Sequence, residues 1–140
     1  MSFREKTLWA AFIGIFVAFG WYFVAYPWHK IDTPAGVGAV AGMLVPVTVI
    51  IIAVMAATAA FFAIRAPNEA YVKEDERERG IHLLGTHLAY YPLVLGCWAN
   101  MIAIFYRFTP GVYLNMLIAT VVLAELVRVG AQLYYYRRGH

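Results

Sequence analysis

Four long apolar runs, each ended by charged or turn-forming residues, organise this chain. The first covers 7–26, follows Arg4-Glu5-Lys6, and closes on Trp21, Tyr22, Phe23 and Tyr26, with Trp28 just beyond. About 20 apolar residues is the length a helix needs to cross roughly 30 Å of hydrocarbon, and aromatic residues favour the bilayer interface. A removable signal peptide has a shorter apolar segment and a small-residue cleavage site, so this run is expected to remain as a membrane helix. The second run, 36–64, contains Pro46 and is longer than a straight crossing needs, which predicts a tilt or kink near the proline. Arg65-Ala66-Pro67-Asn68 stops it, and the strongly polar stretch 69–79 follows. The third run, 83–106, carries Pro92 in its first half, and Arg107-Phe108-Thr109-Pro110-Gly111 reads as a tight turn. The fourth, 112–136, contains Glu125 and Arg128 and runs into Tyr134-Tyr135-Tyr136-Arg137-Arg138, an aromatic belt backed by cations.

Composition agrees with this pattern. Of 140 residues, 63% are hydrophobic and 14% charged, far below the roughly 25% charged residues of a soluble domain. The predicted fold is all-α: an integral membrane four-helix bundle forming one domain over 1–140, with helices near 7–26, 36–64, 83–106 and 112–136 and a loop at 65–82. Arg4, Lys6, Arg65, Lys73, Arg77, Arg79, Arg137 and Arg138 fall on one side, Lys30 and Arg107 on the other, and Arg128 within a helix. The positive-inside rule then expects both termini and the loop in the cytoplasm of a multi-pass protein. The halves show no internal repeat, because the charged fourth helix has no counterpart in the first half; an inverted-repeat transporter is not indicated.

Ionisable groups inside an apolar run are costly and usually face a partner, so Glu125 and Arg128, three apart on one helix face, are the first candidates for function. They read either as a self-neutralising pair that fixes helix packing, or as a proton-carrying glutamate beside a cation. The segment Lys73, Glu74, Asp75, Glu76, Arg77, Glu78, Arg79 reads either as a cap for the third helix, its acids complementing the helix dipole, or as a docking surface for a cytoplasmic partner. Gly38 and Gly42 form a GxxxG motif suited to close helix approach, within the bundle or against another chain. Asn100 and Thr120 are candidates for interhelical hydrogen bonds, and Tyr90, Tyr91 and Trp98 for packing. His87, at the entry to the third helix, is a candidate polar relay towards the level of Arg128.

Cys97 is the single cysteine, which excludes an internal disulfide and a four-cysteine metal site. His82 and His87, five apart, project on different faces, and no histidine at matching depth on another run could hold a haem with them. No cofactor or metal is therefore expected. A net charge of +3, dispersed along the chain, gives no footprint for direct nucleic-acid binding. No catalytic constellation or phosphate-cradling glycine loop is present, so an enzyme is not expected.

The opening Met1-Ser2-Phe3-Arg4-Glu5-Lys6, the central Asp75-Glu76-Arg77-Glu78-Arg79-Gly80-Ile81, and the endings Ala124-Glu125-Leu126-Val127 and Gln132-Leu133-Tyr134-Tyr135-Tyr136-Arg137-Arg138-Gly139 resemble a family of small bacterial four-helix inner-membrane proteins of unassigned function. Genes of that family often stand beside a small helix-turn-helix regulator. The resemblance covers the termini and the loop, and implies that the loop meets a cytoplasmic regulator. Small multidrug-type transporters are similar in size and helix number, but they place an essential glutamate in the first helix, where this chain has no acid over 7–26. The expected function is that of a non-enzymatic regulatory or accessory subunit. It would act by intramembrane helix association, with a larger membrane complex or as a homo-oligomer, and through its charged loop. The alternative is a small proton-coupled transporter using Glu125.

Overall fold

A computed structural model describes residues 2–70 and 72–139, with the side chains of Glu69 and Ala70 excepted. Tyr71 and those two side chains, in the polar stretch 69–79, lie outside the described residues, as does His140. Each apolar run forms one helix, and at the start of each the helix extends beyond its run. α1 spans Phe3–Ala25 and starts at Ser2, whose hydroxyl accepts from the Glu5 N–H at 3.2 Å. A 3-10 turn, Trp28–Lys30, leads to α2, Pro34–Arg65. Thr33 caps α2 by accepting from the Gly36 N–H at 3.3 Å, and Pro34 occupies the first turn, where a missing N–H leaves no intrahelical bond unmade. α2 continues through Pro46. The four-residue α3, Pro67–Ala70, precedes α4, Glu76–Phe105, and α5, Pro110–Arg138, which ends on Gly139 in the left-handed region.

α4 corrects the expected loop of 65–82. It begins seven residues before its apolar run because Asp75 and Glu78 form a capping box, each side chain bonding the other's backbone region. Hydropathy gave the polar first two turns to the loop; hydrogen bonding assigns them to the helix.

All four long helices are long and apolar enough to cross a bilayer. They alternate in direction, so both ends of the described chain and the 66–75 connection share one end of the bundle, hereafter the charged end. The 3-10 turn and residues 106–109 share the other, the turn end. α5 is central, packed along α4 and also against α1, while α2 packs mainly on α1. Glycines set the α4 to α5 spacing. A Cβ on Gly85 would lie 2.6 Å from Gln132 Cγ and 2.9 Å from the Arg128 carbonyl oxygen, and one on Gly96 would overlap the Thr120 side chain. Near the turn end, Tyr22, Tyr26 and Val40 form a buried cluster with Phe19, Phe23, Leu114 and Ile118 around it. There the Tyr22 hydroxyl donates to Asn115 Oδ1 at 2.9 Å, and the Tyr26 hydroxyl to the Gly36 carbonyl at 2.8 Å.

Candidate functional site

Glu125 stands one residue past the midpoint of α5, and Arg128 one turn on. Arg128 donates through Nε at 3.0 Å and Nη2 at 2.7 Å, both to Glu125 Oε2. The side chains keep 42% and 32% of their exposure, so the pair lies on the outside of the described chain rather than in its core. A cleft of about 560 Å³ between α1 and α2, lined by apolar residues such as Val17, Trp21, Pro46 and Ile50, lies elsewhere.

From this pair a polar stripe climbs α5. Glu125, Arg128, Gln132 and Tyr136 are offset by three, seven and eleven residues, which keeps them on one face at 3.6 residues per turn. Gln132 is 5% exposed and its Nε2 donates to His82 Nδ1 at 3.1 Å, the amide nitrogen being a donor only. A cavity of about 230 Å³ beside them is lined by Arg4, Thr7, Glu74, His82, Gln132 and Tyr136, among others. His82 therefore makes the contact towards α5 that was expected of His87. The buried residues Ile81, Gly85 and Ala89 define the inward face of α4; His87 is two residues past Gly85, about 200° round the helix. It is exposed, and among the described residues its side-chain hydrogen-bond partner is Tyr91, at 3.4 Å.

The charged segment divides its work. Arg4 of α1 bonds Glu78 Oε2 at 2.5 Å, lies 3.6 Å from Glu74 Oε1, and donates to the Val72 carbonyl at 3.2 Å. Glu78 also accepts from the Asp75 N–H, and Asp75 from the Glu76 N–H. Glu74, Asp75 and Glu78 thus hold the start of α4 and tie it to α1; Lys73, Glu76, Arg77 and Arg79 are exposed, as are Glu74 and Asp75. Because the Arg4 cluster is partly solvated, Arg4→Gln is expected to cost no more than about 1 kcal/mol of stability. It is nevertheless expected to speed proteolytic cleavage within 66–75, as limited proteolysis at matched stability would read; an unchanged cleavage rate counts against this tie.

Gly38 and Gly42 are exposed, and among the described residues a Cβ on either would meet no atom within 4 Å. The inward face of α2 is Gly36, Val40 and Val47, and residue 38 is about 200° from 36. Asn100 and Thr120 are buried, but their side chains donate within their own helices, to Gly96 and Met116 carbonyls at 2.9 and 2.8 Å. Asn115, which sequence reasoning missed, does bond between helices, its Oδ1 accepting from the Tyr22 hydroxyl. Tyr90, Tyr91 and Trp98 are more than half exposed and face outward rather than packing in the bundle. Gln132 was legible as the residue seven after Glu125; Arg4 had no signal beyond its sign. No family model, curated protein or solved structure matches this chain, so the roles of these residues rest on their own geometry.

Proposed function

We propose that this chain is a small accessory or regulatory protein of a cytoplasmic membrane, non-enzymatic, which works by presenting helix faces to another membrane protein. The observation that carries this reading is the outward GxxxG of α2: Gly38 and Gly42 are exposed and open, although small residues at this spacing serve close helix approach in a bilayer. The exposed Lys73, Glu76, Arg77 and Arg79 give the same partner, or a cytoplasmic regulator, a second hold at the charged end. Both termini then face the cytoplasm, as the distribution of Lys and Arg favours.

A photocrosslinker at Ala41, exposed beside this motif, is expected to capture a protein of one defined mass in native membranes. Gly38→Leu with Gly42→Leu is expected to abolish that adduct while leaving the bundle as stable as before, because both side chains enter open space. Adducts with lipid alone would sink the reading. Proton-coupled transport through Glu125 draws less from the geometry, because its carboxylate is on the outer face and already holds Arg128. Proton flux into vesicles that Glu125→Gln removes would move the function to transport.

A further inference from the structure

Glu125 and Arg128 present a problem that a single copy leaves unsolved. Both Arg128 bonds go to Glu125 Oε2, so among the described residues Glu125 Oε1 and Arg128 Nη1 make no hydrogen bond. In water the solvent would fill them. Half-way along a bilayer-crossing helix no water is at hand, and ionisable groups there face a partner or a wet cavity. Snorkelling does not resolve it either. The guanidinium turns back one turn towards Glu125 and the helix midpoint, away from the charged end about 15 Å up the helix at 1.5 Å per residue.

We infer that this outer face of α5 is where a second copy of the chain docks, parallel in the bilayer, with Arg128 of each copy bonding Glu125 of the other. Charge complementarity selects the occupant. A two-fold axis along the membrane normal places equivalent residues at equal depth, so the unfilled carboxylate oxygen of one copy comes within one helical turn of the unfilled guanidinium nitrogen of the other, and the reverse contact forms at once. Such an isologous interface is the common closed form of assembly, and a second copy supplies the matching pair by construction. The surrounding surface fits it. Leu117 and Val121 continue the face at the spacings of a helix seam, and are 42% and 54% exposed. α4 and α1 both pack on α5, and beside Leu117 and Val121 the Glu125 and Arg128 side chains stay partly exposed. This face is separate from the α2 glycines, so the dimer does not depend on the accessory reading.

Full-length protein in lipid vesicles tests it through two single cysteines placed in a Cys97→Ser background. Val121→Cys, on this face, is expected to oxidise to a disulfide-linked dimer in most molecules; Leu123→Cys, equally exposed but about 160° away round α5, is expected to remain monomeric. In subunit-exchange measurements in bilayers, Glu125→Gln with Arg128→Gln is expected to weaken association about tenfold or more, two interchain contacts being lost. Equal crosslinking at Val121 and Leu123, a Val121→Cys variant that stays monomeric, or unweakened association of the glutamine variant each overturns the proposal. If the glutamine variant misfolds, the two cysteines decide alone.

Discussion

Leucine in place of Gly96 is expected to detach α4 from α5 and to destabilise the bundle by about 3 kcal/mol, the upper end of what overpacking ordinarily costs. Even the first carbon of a side chain there would overlap Cβ, Oγ1 and Cγ2 of Thr120. Thr120 cannot step aside. It is buried and β-branched, and its hydroxyl is tied to the Met116 carbonyl at 2.8 Å. The helices must separate, and among the described residues α5 is the helix on which α4 chiefly packs, with the Arg4 bond to Glu78 a further tie at the charged end. Gly130→Ala is the comparison: a Cβ there would meet Phe12 Cε2 at 3.5 Å, ordinary contact, and the change is expected to stay within about 0.5 kcal/mol. Reversible unfolding in mixed micelles measures both. Similar costs at the two positions would show that the α4 to α5 approach is looser than the backbone spacing implies.

How much of this could be read from the chain depended on whether polar residues marked the feature. The four helices were legible because charges and prolines punctuate them, and Asp75 with Glu78 marks the start of α4 to anyone counting a capping box rather than hydropathy. Which glycines pack was not legible. In a soluble helix an apolar stripe distinguishes inside from outside, but here both lipid-facing and buried positions are apolar, so the GxxxG at Gly38 looked as suitable for the interior as Gly36, Gly85 and Gly96, which hold the close contacts. The same uniformity hid the aromatic faces, and Tyr90, Tyr91 and Trp98 turned outward. Polar residues fared better: Glu125 and Arg128 pair as their spacing predicts, and Gln132 extends their stripe. His82 and His87 were separable only once the inward face of α4 was known, since five residues apart they could not both point at α5.

Tyr22→Ala is expected to be as damaging as the change at Gly96, for a different reason, and the two parts of its effect can be separated. Tyr22 is fully buried where α1, α2 and α5 meet, with its ring against Tyr26 and Phe23 at centroid distances of 5.8 and 5.2 Å. Truncation opens a cavity in that cluster, for which aromatic-to-alanine changes cost about 3–5 kcal/mol. Between lipid-solvated helices and the bundle, most of that is lost packing rather than transfer from water, so the lower half of the range is expected. The hydroxyl adds a smaller part. Tyr22→Phe leaves Asn115 Oδ1 without its 2.9 Å donor, and hydrogen bonds between membrane helices average about 0.6 kcal/mol, reaching about 1.7. Pairing Tyr22→Phe with Asn115→Leu removes donor and acceptor together, so the double variant is expected to recover much of the loss. Unfolding measurements on the four proteins would expose an error in either part. If Tyr22→Phe costs as much as Tyr22→Ala, the hydrogen bond and not the ring holds the three helices together; if Tyr22→Phe costs nothing, Asn115 finds its donor elsewhere and the packing of the ring accounts for the whole effect.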